Sequence, residues 1–315
     1  MHKLNTKVLL QKLSKYTTLI FLVFFSLLVA VYSPQFLTMT NILNILRQTS
    51  INAIIAAGMT FVILSGGIDL SVGSILAFTG AIMAQGLLSG FNGIISLIAA
   101  LLIGMMLGML NGVIICKGKV QPFIATLGTM ILLRGATLVF TDGKPISFGA
   151  NSSNLINALG NGYIFNIPVP VYIMLLVFIC GYFILKHMRT GRYVYAIGCN
   201  EKASLLAGIN INAVKIYTYV VCGFLSAMAG VIVTSRLSSA QPTTGSGYEL
   251  DAIAAVVIGG TSLSGGRGTI IGTFIGALII SVLNNSLNIL NISSYYQMVI
   301  KGIVIILAVI FDRNK

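Results

Sequence analysis

Apolar runs about as long as a membrane-spanning helix recur from one end of this chain to the other, and they constrain its fold more than any other feature. A helix needs about 20 apolar residues to cross the roughly 30 Å hydrocarbon core of a bilayer. Only 8% of the 315 residues are charged and 57% are hydrophobic, whereas a soluble domain carries about 25% charged residues. Because backbone groups in hydrocarbon must find partners inside the protein, the sequence predicts an all-α, polytopic transmembrane helical bundle.

About ten spans are predicted, and residues 1–315 are assigned to one transmembrane domain. The first span has a basic flank like that of a signal peptide, but it is followed by a poor cleavage site and is long enough to approach a full span, so it is counted as a helix. The eighth is too short to cross as a regular helix and is expected to be broken or re-entrant. The ten segments are residues 17–33, 48–64, 69–88, 94–116, 121–140, 168–185, 216–236, 250–260, 269–287 and 296–311.

The distribution of lysine and arginine predicts which loops face the cytosol. Cytoplasmic loops of membrane proteins carry an excess of basic residues, and an even number of spans places both termini on the same side. With both termini cytoplasmic, most of the 19 basic residues fall inside. The longest loop then outside, residues 141–167, is nearly uncharged and is either an ordered cover over a cavity or a simple loop. The N-terminal part of the basic set is Lys3, Lys7, Lys12 and Lys15.

One polar, basic segment interrupts the apolar runs at residues 186–215 and is predicted to be a cytoplasmic loop. A short helix is expected inside it, because Asn200 is a good N-cap, Glu201 favours a helix N-terminus, and Gly208 is a typical C-terminal stop. Two interpretations are open. The segment either fixes the topology by its charge, or it presents a short helix that a cytosolic protein can push.

Small residues repeat at the spacing of helix interfaces in Gly104-xxx-Gly108-xxx-Gly112 and in Gly272-xxx-Gly276. Such stripes let helix backbones approach closely in lipid, so bundle packing is the expected role. Both stripes follow a glycine-rich break, which indicates a weak internal duplication of the two halves.

The sequence carries no recognisable catalytic, metal-binding or nucleotide-binding motif. The four cysteines form no CxxC pair or ligand spacing, and the nearest approach to a phosphate-binding loop, around Gly260–Arg267, lacks the required Lys-Ser/Thr. The formal charge of +13 is assigned to the cytoplasmic side of a membrane protein rather than to nucleic acid. No catalytic residue, metal or cofactor is therefore predicted, and any ATP that drives the protein would bind to another chain.

Polar residues inside the apolar segments are the remaining functional candidates, because polar groups are expensive to bury in a bilayer. Asp69 either caps the helix that follows the Gly66-Gly67 break or lines a solute path. The amides are expected to hydrogen-bond between helices, yet neutral amides also suit an uncharged, polyhydroxylated solute. Capping the eighth segment or attraction to its N-terminus is the expected role of Glu249 and Asp251, and Arg134 is expected to face protein or water. The amides concerned are Asn111, Asn284, Asn285 and Asn288.

Four blocks in order along the chain resemble a known family. They are SGGIDLSVGSILAFTGAI, ATLGTMILLRG, GRYVYAIGCNEKASLLAGI and YELDAIAAVVIGGTSLSGGRGTIIGTFIGALI. Together they resemble the permease subunits of bacterial monosaccharide ABC importers, of the ribose type, within the superfamily of branched-chain amino acid and sugar permeases. The first and last blocks are the most specific.

This resemblance implies partners and a coupling site. Such permeases are multi-pass proteins of the bacterial cytoplasmic membrane that form homodimers, receive a sugar from an extracytoplasmic binding protein, and are driven by a separate ABC ATPase subunit. The segment that docks on the ATPase matches at Gly198, Asn200, Ala203, Ala207 and Gly208, with Glu201 beside them. Where relatives often have two adjacent alanines, this chain has Ala203-Ser204, a mild departure.

The sequence therefore favours an ABC importer permease that is embedded in membrane lipid and carries a monosaccharide, ribose or a related sugar, across the membrane. The tentative translocation path comprises Asp69, Asn111, Asn284 and Asn288. An ion-coupled secondary sugar transporter is the main alternative, and a passive channel is another. Ribose, other pentoses, galactose-type hexoses and autoinducer-like furanoses all remain open as substrates.

Overall fold

The computed structural model describes residues 17–149 and 153–313. The N-terminal lysines used above to orient the chain, and Lys315 at the other end, lie outside these residues. Every one of the ten apolar segments contains a helix. The ten helices, numbered in chain order with those of the loops, are α1 (Thr17–Tyr32), α2 (Met39–Leu64), α3 (Val72–Leu88), α4 (Gly93–Lys117), α5 (Pro122–Phe140), α7 (Val169–His187), α10 (Ile211–Leu237), α11 (Tyr248–Ile258), α12 (Ile270–Ile289) and α13 (Ser294–Arg313).

Three shorter helices lie in the loops: α6 (Asn154–Asn161), α8 (Arg189–Cys199) and α9 (Glu201–Leu206). A 3-10 turn, Pro34–Leu37, joins α1 to α2. The all-α prediction is confirmed, since the described residues are predominantly helical and contain only four strands of two residues each. These are β1 (Ile146–Ser147), β2 (Tyr163–Ile164), β3 (Ile167–Pro168) and β4 (Ser239–Ala240), paired antiparallel as β1–β4 and β2–β3.

Six of the described helices are long and apolar enough to cross a membrane: α2, α4, α5, α7, α10 and α12. The apolar helices α1 and α3 are shorter. At 1.5 Å per residue, the 11 residues of α11 extend only about 17 Å, roughly half the hydrocarbon thickness. These lengths establish an all-helical membrane protein with several spans.

Helix α2 forms the centre of the bundle. Every residue from Thr49 to Leu64 is buried, and an apolar helix without an exposed face belongs in a core. It packs against α10, α12, α11 and α7. The helix begins well before the predicted residue 48, because Thr38 caps it by accepting a hydrogen bond from the Asn41 backbone N–H, and its first turns carry polar residues that conceal the boundary.

Helix α10 forms the most extensive interface with α4, and the glycine stripe of α4 explains why. A Cβ at Gly108 would overlap the carbonyl oxygen of Tyr219, and one at Gly112 would press on the Cα of Ile216. On the other stripe, a Cβ at Gly276 would overlap the carbonyl oxygen of Ala255 in α11. The predicted role of both stripes in close helix packing is confirmed.

Each half of the chain contributes one long central helix that packs on helices of the other half, and the two arrangements correspond. Helices α2 and α10 are each followed by a break and a shorter helix, α3 and α11. Helix α10 packs on α3 and α4, while α2 packs on the corresponding helices α11 and α12. The contact between α2 and α10 joins the two groups at the centre of the bundle. The weak duplication indicated by the sequence is therefore present in the packing.

Candidate functional site

The segment predicted as a cytoplasmic loop, residues 186–215, folds into the last residues of α7, the helices α8 and α9, and the first turn of α10. Helix α8 was not predicted. The sequence does carry an amphipathic signal for it, because Gly191, Val194 and Ile197 recur at three-residue spacing and are the residues that α8 buries. The segment is thus an ordered helical structure attached to the bundle.

Helix α8 is fixed to the end of α2 by a close backbone contact at Gly198. A Cβ at this position would overlap both the carbonyl oxygen of Leu64 and the amide nitrogen of Gly266. Those two atoms are hydrogen-bonded to each other, with the Gly266 N–H donating to the Leu64 oxygen at 2.9 Å. Glycine at position 198 therefore lets α8 touch the last turn of α2 and the loop between α11 and α12 at one point.

A second contact with the same loop comes from Tyr195 of α8. Its hydroxyl donates a hydrogen bond to the carbonyl oxygen of Gly268 at 2.9 Å. Burial raises the pKa of the Tyr195 phenol, so the group stays protonated as a donor at neutral pH.

The short helix α9 has the N-cap and the stop that the sequence predicts. The side-chain oxygen of Asn200 accepts a hydrogen bond from the Ala203 N–H at 2.9 Å. At the other end Gly208 adopts φ +80°, and the following Ile209 N–H donates back to the Ser204 oxygen at 3.1 Å. A left-handed residue at this place satisfies the last carbonyls of a helix and favours glycine.

The outward face of α9 carries two leucines that sequence reasoning missed. The exposed fractions of Leu205 and Leu206 are 62% and 90%. Glu201, Ala203 and Ala207 are exposed beside them. Two adjacent leucines in an otherwise small and polar helix are the signal that was available. An ordered helix with an exposed apolar tip is typical of a docking surface.

An ion pair braces α9 against α10. Lys215 Nζ donates to Glu201 Oε2 at 2.8 Å, and the exposed fractions of the two side chains are 20% and 54%. Such partly exposed pairs contribute at most about 1 kcal/mol to stability. The bridge therefore orients α9 more than it stabilises the fold.

Two of the four path candidates, Asp69 and Asn111, meet in a buried polar cluster. Ser71 lies between them: Asp69 Oδ1 accepts from the Ser71 backbone N–H at 2.9 Å and from its hydroxyl at 2.6 Å, and Asn111 Nδ2 donates to the Ser71 hydroxyl oxygen at 2.8 Å. All three side chains are fully buried. Asp69 thus supports the turn before α3, although the helix begins after Ser71 rather than at Asp69.

The other two candidates lie near the end of α12 and do not join this cluster. Asn284 is buried, whereas Asn288 is exposed and accepts a hydrogen bond from Gln297 Nε2 at 2.9 Å. The neighbouring Asn285 has the interhelical role expected of an amide, because it exchanges two hydrogen bonds with Asn41 of α2, at 2.8 and 3.0 Å.

Three of the four path candidates share an unusual property. Asn111 Oδ1 and Asn284 Oδ1 are buried oxygens that accept no hydrogen bond from any described residue, and Asp69 Oδ2 has no partner at normal hydrogen-bond distance, although the Cys222 thiol interacts with this carboxyl group. Leaving a buried acceptor unsatisfied costs roughly 1–3 kcal/mol. Acceptors of this kind match the hydroxyl donors of a sugar or of water.

Three further charged residues have structural partners. Arg134 of α5 donates from Nη1 to the carbonyl oxygens of Thr244 (2.7 Å) and Pro242 (3.3 Å), in the loop before α11. Glu249 and Asp251 lie in the first turn of α11 as expected; Glu249 Oε1 accepts from the Gly247 N–H at 3.1 Å, and Asp251 also forms a 3.0 Å ion pair with Lys301 of α13. Within residues 17–149 and 153–313, no cluster of three or more His, Cys, Asp or Glu side chains has the arrangement of a metal site.

Comparison with known proteins gives consistent matches along the chain. A family model described as branched-chain amino acid transport system / permease component matches residues 41–309. The chain is 59% identical over 287 residues to the ribose import permease protein of Haemophilus influenzae, covering 91% of this chain and 89% of that protein. It is 54% identical over 306 residues to the ribose import permease protein of Bacillus subtilis, covering 97% and 94% of the two chains.

A further relative transports a different sugar. The chain is 40% identical over 301 residues to the D-allose transport system permease protein of Escherichia coli, covering 95% of this chain and 91% of that protein. No solved structure matches the chain.

Proposed function

Because this chain belongs to the branched-chain amino acid transport system / permease component family, we propose that it is the membrane-spanning subunit of an ATP-binding-cassette importer for ribose. The chain is a multi-pass protein of the bacterial inner membrane. It provides the passage for the sugar, and a separate ATPase subunit provides the energy.

The observation that carries this proposal is the similarity to ribose import permeases over almost the whole length of both proteins. At 59% and 54% identity these relatives are well above the D-allose relative at 40%. Ribose is therefore the preferred substrate over other monosaccharides. Capture specificity belongs to an extracytoplasmic binding protein, since a permease must also release what it accepts.

In this proposal helix α9 docks on the ATPase and transmits its movement. Leu205 and Leu206 supply an exposed apolar contact, and the Asn200 cap and Gly208 stop keep the helix intact at the end of a loop. Movement of α9 passes to α8 and, through the Gly198 contact, to the end of α2. The bundle would then alternate between states open to each side of the membrane.

The translocation path is proposed to include the buried unsatisfied oxygens of Asp69, Asn111 and Asn284. A sugar passing between the two halves would donate its hydroxyl hydrogens to them. Asn288, which is exposed near the end of α12, would act at the entrance of this path.

The topology and assembly are also proposals. Ten spans place both termini in the cytosol, with α11 as a half-length segment, and two copies of the chain form the permease. Residues 141–167, with α6 and the β2–β3 hairpin, then face the binding protein, and the segment 186–215 faces the ATPase.

Reconstitution into vesicles tests the function. We expect radiolabelled ribose uptake only when the ATPase, the binding protein and ATP are all present. Uptake by this chain alone under a proton or sodium gradient would instead support the ion-coupled secondary transporter, and flux without any energy source would support a channel. Either result would refute the proposal.

A matched pair of variants tests the docking helix. We expect Leu206→Ser to weaken co-purification of the ATPase and to stop uptake while the chain still inserts. Leu237→Ser, an exposed leucine at the opposite end of α10 (51% exposed), is the control and should retain both. Equal behaviour of the two variants would count against α9 as the docking site.

A further inference from the structure

An apolar groove lies on the outer surface of the bundle between α7 and α12. Its volume is about 280 Å³, and its walls are hydrocarbon side chains and aromatic rings, including Leu175, Phe178, Ile179 and Phe274. Phe178 and Phe274 pack edge to face, with ring centroids 5.0 Å apart, and so form a firm wall. The groove faces outward from the bundle, since the exposed fractions of Leu175 and Ile179 are 42% and 65%.

The groove continues into a larger cavity of about 800 Å³ at the end of the bundle that carries α8 and α9. The two spaces share Tyr182, Ile270 and Ile271 as wall residues. Unlike the groove, the cavity has polar groups on its wall, from Lys186, Tyr195 and Thr18. The two adjoining spaces are therefore apolar along the helices and polar at the helix ends.

The polar end of this space is positively charged. Lys186 Nζ donates to the Tyr182 hydroxyl at 2.6 Å and lies 5.0 Å from the centre of the Tyr182 ring, which directs the ammonium group toward the cavity wall. Lys186 belongs to none of the three ion pairs of the described residues, and it has no carboxylate within 4.0 Å there. Its charge is available to an anion.

The start of α12 adds to the positive potential. Its first turn contains no acidic residue, and Ile270 and Ile271, whose N–H groups have no intrahelical acceptor, form part of the cavity wall. A helix N-terminus carries partial positive charge and favours anions. This contribution supplements the lysine and would not define a site without the cavity and the groove.

We propose that this space binds one anionic glycerophospholipid of the cytoplasmic leaflet, with an acyl chain in the groove and the phosphate headgroup beside Lys186. Basic pockets between helices on the cytoplasmic side of membrane proteins bind anionic headgroups. The bound lipid would touch Tyr195 of α8, next to the Gly198 contact with α2. The inference rests on the proposed orientation, which puts α8 and α9 at the cytosolic face, and it holds whichever solute the chain transports.

Native mass spectrometry of the full chain, delipidated and titrated with lipids of identical acyl chains, tests this proposal. We expect phosphatidylglycerol to bind more tightly than phosphatidylcholine. Lys186→Gln should reduce this preference about fivefold, the ratio that corresponds to roughly 1 kcal/mol per lysine at an anionic surface. Lys117→Gln is the control, since Lys117 is also an exposed lysine in the last turn of a long apolar helix, and it should leave the preference within about twofold.

A second variant tests the groove. Ile179→Trp fills the groove from an exposed position and should weaken binding of both lipids while leaving the thermal stability of the protein unchanged. Equal binding of the two lipids to the unaltered chain, or equal loss in the two lysine variants, would overturn the proposal. The proposal would also be overturned if the intact chain did not bind phosphatidylglycerol. Residues 1–16 or a second copy of the chain would then be the alternative occupants of the groove.

Discussion

Replacing Gly198 by alanine adds one methyl group at a point where α8 meets both the end of α2 and the loop before α12. The new Cβ would overlap the Leu64 carbonyl oxygen and the Gly266 nitrogen, which are backbone atoms and cannot rotate away. Overpacking of this kind costs about 1–3 kcal/mol. If the 2.9 Å Gly266–Leu64 hydrogen bond breaks, a further ~1 kcal/mol is lost.

A helical glycine elsewhere provides the matched control. Gly128 in α5 has no heavy atom within 4 Å of a built Cβ, so Gly128→Ala adds a methyl group in open space. Alanine favours a helix over glycine by about 1 kcal/mol, and this gain applies at both positions. We therefore expect Gly198→Ala to lose about 1–3 kcal/mol net and Gly128→Ala to be neutral or slightly stabilising.

Thermal unfolding in detergent measures the stability difference, and ATP-driven uptake in vesicles measures the function. Gly198→Ala should lower the unfolding temperature by a few degrees and reduce uptake more than it reduces ATP hydrolysis, because α8 is displaced from α2. The reasoning would be refuted if Gly198→Ala matched Gly128→Ala in both measurements, since the close contact would then have no energetic weight.

Three further predictions follow from single contacts. Asn200→Ala removes the cap of α9 and should cost roughly 1 kcal/mol of local stability, which hydrogen exchange would detect as faster exchange in α9. Asn200→Asp keeps an oxygen acceptor and should leave the exchange rate of α9 unchanged. Lys301→Met leaves a buried carboxylate unpaired and should cost about 3 kcal/mol in thermal unfolding, and adding Asp251→Leu should recover most of the loss; no recovery would contradict the ion pair. Asn284→Ala should change the KM for uptake with little loss of stability, because the Asn284 oxygen has no hydrogen-bond donor to lose. Asn285→Ala should instead lower stability, because it leaves the amide of Asn41 unsatisfied. A larger loss of stability for Asn284→Ala than for Asn285→Ala would contradict the proposed path.

Features governed by neighbouring residues were predictable from the sequence. Asn200, Glu201 and Gly208 define α9 because a cap and a stop depend on residues within one or two turns. A helix lies within each of the ten predicted apolar segments, since each segment carries its own hydrophobic signal. The start of α2 was misplaced because Thr38 caps a polar first turn in which that signal is weak.

Features that depend on distant residues were not predictable. The Lys301–Asp251 pair joins residues 50 positions apart, so the local sequence explains the place of Asp251 in the first turn of α11 but not its ion pair. The meeting of Asp69 with Asn111 requires the packing of the turn before α3 on α4, and no local pattern indicates it. Helix α8 was missed although it is amphipathic, because its few apolar residues are interspersed with polar and basic ones and the segment was interpreted as a loop around α9.

Arg134 holds the loop before α11 through hydrogen bonds to backbone carbonyl oxygens. The polar nature of this contact determines how easily water can enter it. Contacts between apolar side chains resist the entry of water, because separating them exposes hydrocarbon to water. A guanidinium joined to two carbonyl oxygens differs, since incoming water can replace each bond at a net cost of about 1.5–3 kcal/mol without exposing hydrocarbon. If this loop moves during transport, its contact with Arg134 can therefore be wetted and re-formed without separating two apolar surfaces.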